Sequence, residues 1–528
     1  MAFTLLQVGT TLKSINSTGA FSPTLTLPAG VVLSAALTPR FARFNRYVIL
    51  VNTPSRPLSI GDDGVVRLLT PNKPTTPVAL TAPDAGGLTG TYLALETYKL
   101  LDSNGNVVSE SDYGPFMPAA VAIANNKLLA NFPLSTDAVD GIQLYRTTTL
   151  GATYFPWLLI PGNLNASVED DTPDAGLGVI QGAFLGTPPD LTLIAEFGGR
   201  LWGVDRTDID DLRYTEAGTM YAWSALNTLP IQHLGSDSAG ITALIPRRNS
   251  LGVARLNVFN AVTGTDRTNF TPNTVNGGES VGCVSQESVV VYNDVAYFLW
   301  RDGVYMWNST GISPISNGLV RSWFTTDKYF NRSMFWRAFA QLDPIGLKYR
   351  LFLPSVGSNF CDRWIEYDLT TQTWWGPHKT DAFQPTCAIL VAGSDQQPYY
   401  MVGGIEGYLS QDQNAKNDWN VNPIVMSGET VKQIQGEPEL EKYWGELAIS
   451  QALQPTTGNL TITPVVGEID DNTVPQAPFT VNPTVSYQRL GRLGRGKRAS
   501  LIFNENTLNQ DVVIYGYEID PISIIGRR

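Results

Sequence analysis

The chain of 528 residues carries few groups suited to proton or metal chemistry. Its only two histidines, His233 and His378, fall in different stretches, and each reads as a surface or loop residue rather than a catalyst. No G-x-S-x-G elbow presents a serine on the sharp turn that a Ser/His/Asp nucleophile needs. H-E-x-x-H, a G-x-x-x-x-G-K-[ST] phosphate loop and an oxygen-rich calcium loop are also missing. Cys283, Cys361 and Cys387 are widely spaced with no C-x-x-C pair, which argues against a disulfide framework or a zinc site and fits a reducing compartment. The sequence implies no cofactor, no metal and no catalytic residue.

Paired carboxylates are the other route to catalysis, because glycosidases need one acid and one base or nucleophile flanking the bond. Two acid clusters could supply them, Asp208-Ile209-Asp210-Asp211 and Glu169-Asp170-Asp171, yet adjacent acids in Asp-rich turns read more simply as solvated loops. The sialidase repeat S-x-D-x-G-x-T-W has one near match, Ser236 to Ala243. Its aspartate, Asp237, stands one place early and the aromatic is missing. The Trp and Tyr stripes could stack on sugars, but in a propeller they read more simply as packing between blades.

One charged feature stands out. The run RLGRLGRGKR places Arg489, Arg492, Arg495, Lys497 and Arg498 within ten residues of an acidic chain. Its interleaved glycines suggest an exposed flexible loop, and its charge makes it the candidate contact for DNA phosphates or an acidic partner subunit. The chain as a whole has formal net charge −12, so it is not built to wrap nucleic acid. An acidic surface could still line a passage through which DNA slides without sticking. Charge is uneven, with eleven acids against four bases between Lys73 and Ile180.

Positioning any of these groups falls to short strands. Hydrophobic residues make up 43% and aromatics 10%, enough for a packed core, while charged residues at 16% lie below the usual quarter. Helical periodicity is nearly absent. The opening MAFTLLQVGTTLKSINS lacks a basic segment followed by a long apolar one, and no apolar run approaches the ~20 residues of a membrane helix. The expectation is a soluble protein folded in a cytoplasm.

The stretch VVYNDVAYFLWRDGVYMWNSTGISPI shows the repeating unit: strands over Glu287–Tyr292, Val295–Trp300, Val304–Trp307 and Ile312–Ser316, separated by turn residues. The same rhythm returns in Arg43–Leu69, Leu193–Gly218, Ile241–Gly264, Lys348–Trp375 and Cys387–Asp412. A period of roughly 45 to 55 residues is that of a four-stranded β-propeller blade. A blade cannot bury both of its faces alone, and stacking around an axis solves this. A sandwich or jelly roll is the competing architecture.

The rhythm breaks between Lys73 and Gly178. There Leu88–Pro115 reads as two strands joined at Asp102-Ser103-Asn104-Gly105, and Gly141–Ile160 as a hairpin turning at Leu150-Gly151. About a hundred such residues fit an immunoglobulin or fibronectin-III-like sandwich inserted in a loop of the first blade. The expected organisation is all-β: 1–72 as N-terminal segment and first blade, 73–180 as inserted sandwich, 181–440 as remaining blades. Residues 441–528 form a C-terminal β segment that either closes the propeller or makes a separate sheet, with a hairpin of Ala499–Asn504 and Asp511–Ile519.

Taken together, GLTGTYLALETYKLLDSNGNVVSESDYGP, GIQLYRTTTLGATY, LIAEFGGRLWGV, FLWRDGVYMWNSTGISPIS and the closing RLGRLGRGKRASLIFNENTLNQDVVIYGYEID resemble the tail nozzle, or packaged-DNA stabilisation, proteins of short-tailed bacteriophages. The resemblance spans about residues 40 to 520. It implies a structural virion protein of the phage tail that forms a homo-oligomeric ring, usually a hexamer, below the portal and adaptor. Such a ring extends the DNA channel, helps retain packaged double-stranded DNA, releases it during ejection, and meets tail fibres or spikes. The family carries no catalytic residues. Two readings compete with it: a carbohydrate-active propeller of depolymerase or sialidase type, and a host-receptor-binding tail module.

Overall fold

A computed structural model describes residues 4–15, 22–54, 56–102, 104–179, 185–231, 240–326, 328–379, 383–392, 398–405, 407, 409–411, 417–418, 422–423, 426–430, 432–434, 438–453, 460–468, 473–506, 512–520 and 523–526. The chain is all-β apart from one seven-residue helix, Leu319–Thr325, and three short 3₁₀ turns among the described residues. It divides into two compact units, 1–379 with 383–411, and 380–382 with 412–528.

The first unit holds six antiparallel sheets that follow one another along the chain as meanders. Blade 1 consists of Arg40–Phe44, Tyr47–Val51, Leu58–Ile60 and Val66–Leu68; blade 2 of Leu191–Phe197, Arg200–Asp205, Asp211–Tyr214 and Thr228–Pro230. Blade 3 consists of Ala243–Pro246, Leu251–Ala254, Phe259–Thr263 and Thr271–Thr274. Blade 4 consists of Val290–Tyr292, Val295–Trp300, Gly303–Asn308 and Gly311–Pro314. Blade 5 consists of Phe339–Asp343, Lys348–Pro354, Cys361–Asp368 and Trp374–Lys379; blade 6 of Pro385–Ala392, Pro398–Gly404 and Leu409–Gln411.

Each junction between neighbouring blades has its own apolar core. Ala42, Ile49 and Val51 meet Leu191, Ile194 and Leu201 between blades 1 and 2. Trp202 and Tyr214 meet Leu244, Leu251 and Val262 between blades 2 and 3. Phe259 packs on Phe298 and Trp307 at 5.3 and 5.0 Å, joining blades 3 and 4. Leu299 and Val304 meet Tyr349, Leu351 and Ile365 between blades 4 and 5, and Phe339 and Phe352 meet Tyr400 between blades 5 and 6.

The last junction uses the N-terminal hairpin, Thr4–Val8 with Thr11–Ile15. Its Ile15 packs on Val391 and Met401 of blade 6, while Leu5 and Leu12 join the cluster holding Leu50 and Leu58 of blade 1. Six junctions around six sheets make a closed β-propeller, the arrangement in which every blade buries both faces.

The turns obey local rules. Phe197 pairs with Arg200 across Gly198-Gly199, and Tyr292 with Val295 across Asn293-Asp294. All four turn residues have positive φ, 63° and 69°, then 47° and 62°. This is the two-residue turn whose twist matches the strands, and Gly, Asn and Asp tolerate it best. The expected first strand at Glu287 is corrected: Gln286–Ser288 form a 3₁₀ turn and the strand begins at Val290.

Between blades 1 and 2 lies a β-sandwich. One sheet orders Val107–Glu110, Ala94–Leu101, Gly141–Thr147 and Tyr154–Pro161. Facing it are Ala79–Thr81, Leu128–Asn131 and Ser167–Asp170, with the pair Ala85–Tyr92 and Val121–Asn126. Leu80, Tyr92, Tyr98, Leu128, Ile142, Leu144 and Trp157 fill its core. The outer face of the four-stranded sheet is polar yet buried. Thr97 Oγ1 and Tyr145 Oη donate to Glu110 Oε1 at 2.6 and 2.5 Å, and Lys99 Nζ lies 3.7 Å from Glu110 Oε2. Val108 joins Leu69, Met220 and Trp223, so the insertion is seated against blades 1 and 2.

The second unit is a sandwich of two sheets around Trp444, Leu447, Ile449, Ile462, Val466, Leu493 and Leu501. One sheet contains Met426–Glu429, Arg498–Glu505, Thr461–Gly467, Thr473–Pro475 and Phe479–Thr480; the other contains Tyr487–Gly496, Glu441–Gln451, Ile514–Ile519 and Ser523–Gly526. The expected hairpin of Ala499–Asn504 with Asp511–Ile519 is therefore corrected, since its strands lie in different sheets. Local sequence favours hairpins, but burying Leu501 and Ile449 between two layers overrides that preference.

Candidate functional site

First strands of neighbouring blades pack on one another, the innermost position in a propeller, and the turn Ser285–Ser288 bonds at or beside the starts of several of them. Gln286 Oε1 accepts Leu244 N at 2.7 Å and its Nε2 donates to Leu244 O at 3.1 Å, so the amide pairs with blade 3 as a strand neighbour would. Ser285 Oγ donates to Ala338 O at the entry to blade 5 (2.7 Å). Tyr349 Oη of blade 5 donates to Ser288 O at 2.8 Å, and Ser288 Oγ accepts Leu299 N of blade 4 at 3.1 Å. Glu287 Oε1 meets Arg40 Nε of blade 1 at 2.7 Å, and Arg40 Nη1 donates to Thr192 O of blade 2 at 2.9 Å. Four blades are thus tied to one four-residue turn, and Arg40 extends the contact to a fifth.

This geometry bears on acid/base chemistry. Other acids on the innermost strands stand at their far ends: Glu196 Oε1 accepts Gly199 N in its own turn, and Asp343 accepts Ile345 N and faces Arg350. A strand of five to seven residues separates those ends from Glu287 by roughly 13–20 Å at ~3.3 Å per residue. Retaining and inverting glycosidases hold their carboxyls at about 5–9.5 Å. Glu287 therefore has no second carboxyl from these strands within working distance, and its charge is met by Arg40. Beside the turn, burial pushes the Cys283 thiol up to about 12, which removes it as a nucleophile.

The sequence-predicted groups fall elsewhere. Asp210 pairs with the buried Arg255 at 2.6 Å, between blades 2 and 3. Asp170 accepts Trp157 Nε1, and Asp171 accepts Gly87 N in the insertion. His378 is half-buried against Trp364, and desolvation lowers its pKa. His233 and the first half of the stretch Ser236 to Ala243 lie outside the described residues. No cluster of three metal-ligating side chains occurs among the described residues.

The basic run is not a loop. Tyr487–Gly496 is an edge strand of the second unit, paired with Glu441–Gln451, and the glycines serve its twist rather than its flexibility, Gly491 and Gly494 having φ of 149° and 116°. Arg489 meets Glu446 and Asp520 at 3.1 and 3.3 Å, Arg495 meets Glu441 at 2.6 Å, and Lys497 meets Glu468 at 2.8 Å. Arg492 lies over the Tyr443 ring, and Arg498 follows in the neighbouring strand with its Nε buried. Facing acids hold the arginines at 489 and 495 more firmly protonated. Sequence reasoning found the five cations and missed the acids opposite, which lie 29 to 54 residues away in the chain.

No protein-family model matches the sequence, and no curated protein does. Solved structures do resemble the fold. The extracellular domain of the putative one component system BT4673 from B. thetaiotaomicron matches at TM-score 0.26 and 8% identity, over 97% of this chain and 89% of that one. PorZ, an essential bacterial surface component of the type-IX secretion system of Porphyromonas gingivalis, matches at 0.27 and 9%, over 95% and 75%. An exo-beta-1,3-galactanase from Phanerochaete chrysosporium matches at 0.19 and 10%, over 83% and 100%. Likeness at this level carries no argument about function. No helix among the described residues is long and apolar enough to cross a membrane.

Proposed function

We propose that the chain is a structural, ring-forming subunit of a short phage tail, a nozzle component through whose assembled ring DNA is retained and released. The supporting observation is the filled axial hub. The polar groups of Ser285–Ser288 bind other blades, and the central acid is matched by Arg40. Protein thus stands where a propeller enzyme would receive a substrate, which favours a scaffold. On this reading DNA passes between copies rather than through the propeller, and the acidic surface of the insertion faces a neighbour or the passage. Electron microscopy of the purified chain and mass spectrometry of phage particles test it. A closed ring with a DNA-sized hole, present in virions, is the expected result; a protein absent from virions overturns it.

A second reading is a carbohydrate-active or carbohydrate-binding propeller. It is favoured by Trp336 and Trp375, whose side chains are 54% and 56% exposed, since indole faces stack on sugar rings. Glycan-array binding that is lost in Trp336→Ala and Trp375→Ala would support it, and glycan cleavage lost in Glu287→Gln would make it catalytic.

A further inference from the structure

A group of cations without an acid partner among the described residues lies beside blade 5. The segment 328–337 carries Lys328, Arg332 and Arg337, and none of the three has a carboxylate partner among the described residues. Lys328 Nζ sits 5.3 Å over the Tyr329 ring, and Arg332 Nη1 reaches only the Thr325 carbonyl. The Arg337 guanidinium lies 4.7 Å from both the Trp336 and the Phe360 ring centroids, and its Nε is buried without a hydrogen-bond partner.

These groups form one surface. Asn331 N donates to Pro354 O, Asn331 Nδ2 to Ser358 O and Val356 N to Tyr329 O, so the segment is stitched to the hairpin loop of blade 5. That surface exposes Trp336 at 54%, Val356 at 51% and Phe360 at 37%. With its faces against aromatic rings, a guanidinium bonds through its in-plane edge, the geometry that accepts a carboxylate fork-to-fork. Exposed Trp, Phe and Arg together have the composition of a protein contact, whereas a duplex backbone offers nothing apolar for Trp336 and Val356 to cover.

The complementary surface exists on the same chain. The insertion, 73–180, has eleven acids against four bases; Glu96 and Glu110 are buried, and Asp137 and Asp174 are matched by Arg56 and Arg146. Among them Asp84 and Glu169 are both exposed and stand beside one another, with the charge of Lys127 within reach of Glu169. Two carboxyls held together gain from an outside cation.

We infer that the Lys328/Arg332/Trp336/Arg337 surface docks the acidic insertion of a second copy of this chain, a head-to-tail contact of the kind that closes rings. The inference rests on the ring-assembly reading for the choice of a second copy as partner. Sedimentation velocity of the full chain, at low and high salt, tests it. Wild type is expected to self-associate more weakly at high salt, and Lys328→Glu/Arg332→Glu/Arg337→Glu to associate at least about tenfold more weakly. Asp84→Lys/Glu169→Lys should do the same, and mixing the two variants should restore a complex. Trp336→Ala, which leaves every charge in place, should also weaken association.

Monomeric wild type at every concentration, or unchanged association of the triple variant, overturns the inference. So does a triple variant that self-associates normally but loses binding to a duplex DNA probe. The ring-assembly reading fails separately. A chain absent from virions whose association still depends on these residues removes that reading and leaves the contact standing.

Discussion

Arg40 Nε and Glu287 Oε1 lie 2.7 Å apart and join the innermost strand of blade 1 to the turn that precedes blade 4, three sheets away around a ring of six. Both side chains are about three-quarters covered. The pair links blades 1 and 4, which share no apolar junction. Removing one partner leaves the other half-buried and unmatched. Arg40→Ala or Glu287→Ala is expected to destabilise the first unit by about 1–2 kcal/mol. A double-mutant cycle read by thermal or urea unfolding should give a coupling of roughly 1 kcal/mol; additive single effects would mean the pair does not hold the ring.

Glu96 gives the insertion a pH dependence. Its carboxyl is 1% exposed, neither oxygen has a hydrogen-bond partner, and burial pushes its pKa up to about 8. The folded state thus holds a proton that the unfolded chain releases near pH 4.5. Stability from this group is full below that value and declines as pH rises to about 8, where it levels off. Glu96→Gln should flatten that slope and raise stability at pH 8 by roughly 1–3 kcal/mol. Unfolding midpoints between pH 5 and 9 provide the measurement, and an equal slope in both proteins would contradict the assignment.

Gly252 marks a close approach between blades 3 and 4. A Cβ there would stand 2.6 Å from Trp307 Cζ3 and 2.9 Å from Phe259 Cζ, both within a locked aromatic cluster. Gly252→Ala is expected to lower stability by about 1–3 kcal/mol through overpacking and to weaken the near-ultraviolet dichroism of these rings.

The paired arginines of the edge strand should be poor phosphate ligands. Replacing Arg489 and Arg495 by Ala is expected to leave the salt dependence of duplex DNA binding unchanged, because Glu446, Asp520 and Glu441 already neutralise them. A fall of about 0.9 in the slope per arginine removed would show direct phosphate contact instead.

Much of the propeller was legible from local chemistry. Turn pairs such as Gly198-Gly199 and Asn293-Asp294 accept positive φ, and the apolar runs between them alternate with a period of two, so blades declared themselves one by one. Glu287 did not. Next to Val289, Val290 and Val291 it reads as the edge of a strand, and only the convergence of blades 1, 3, 4 and 5 makes Ser285–Ser288 a hub.

Charge divided in the same way. Composition alone determined that the chain is acidic, thiol-poor and rich in short strands, because counts and short-range periodicity need no partner. Which cations are free was decided by tertiary structure, since ion pairing depends on what distant strands bring opposite. Arg489 and Arg495 gain acids from Glu441–Gln451 and Asp520, while Arg337 gains only the rings of Trp336 and Phe360. The most conspicuous basic run in the sequence therefore has two of its arginines already matched by acids, while Arg337 beside blade 5 has none among the described residues.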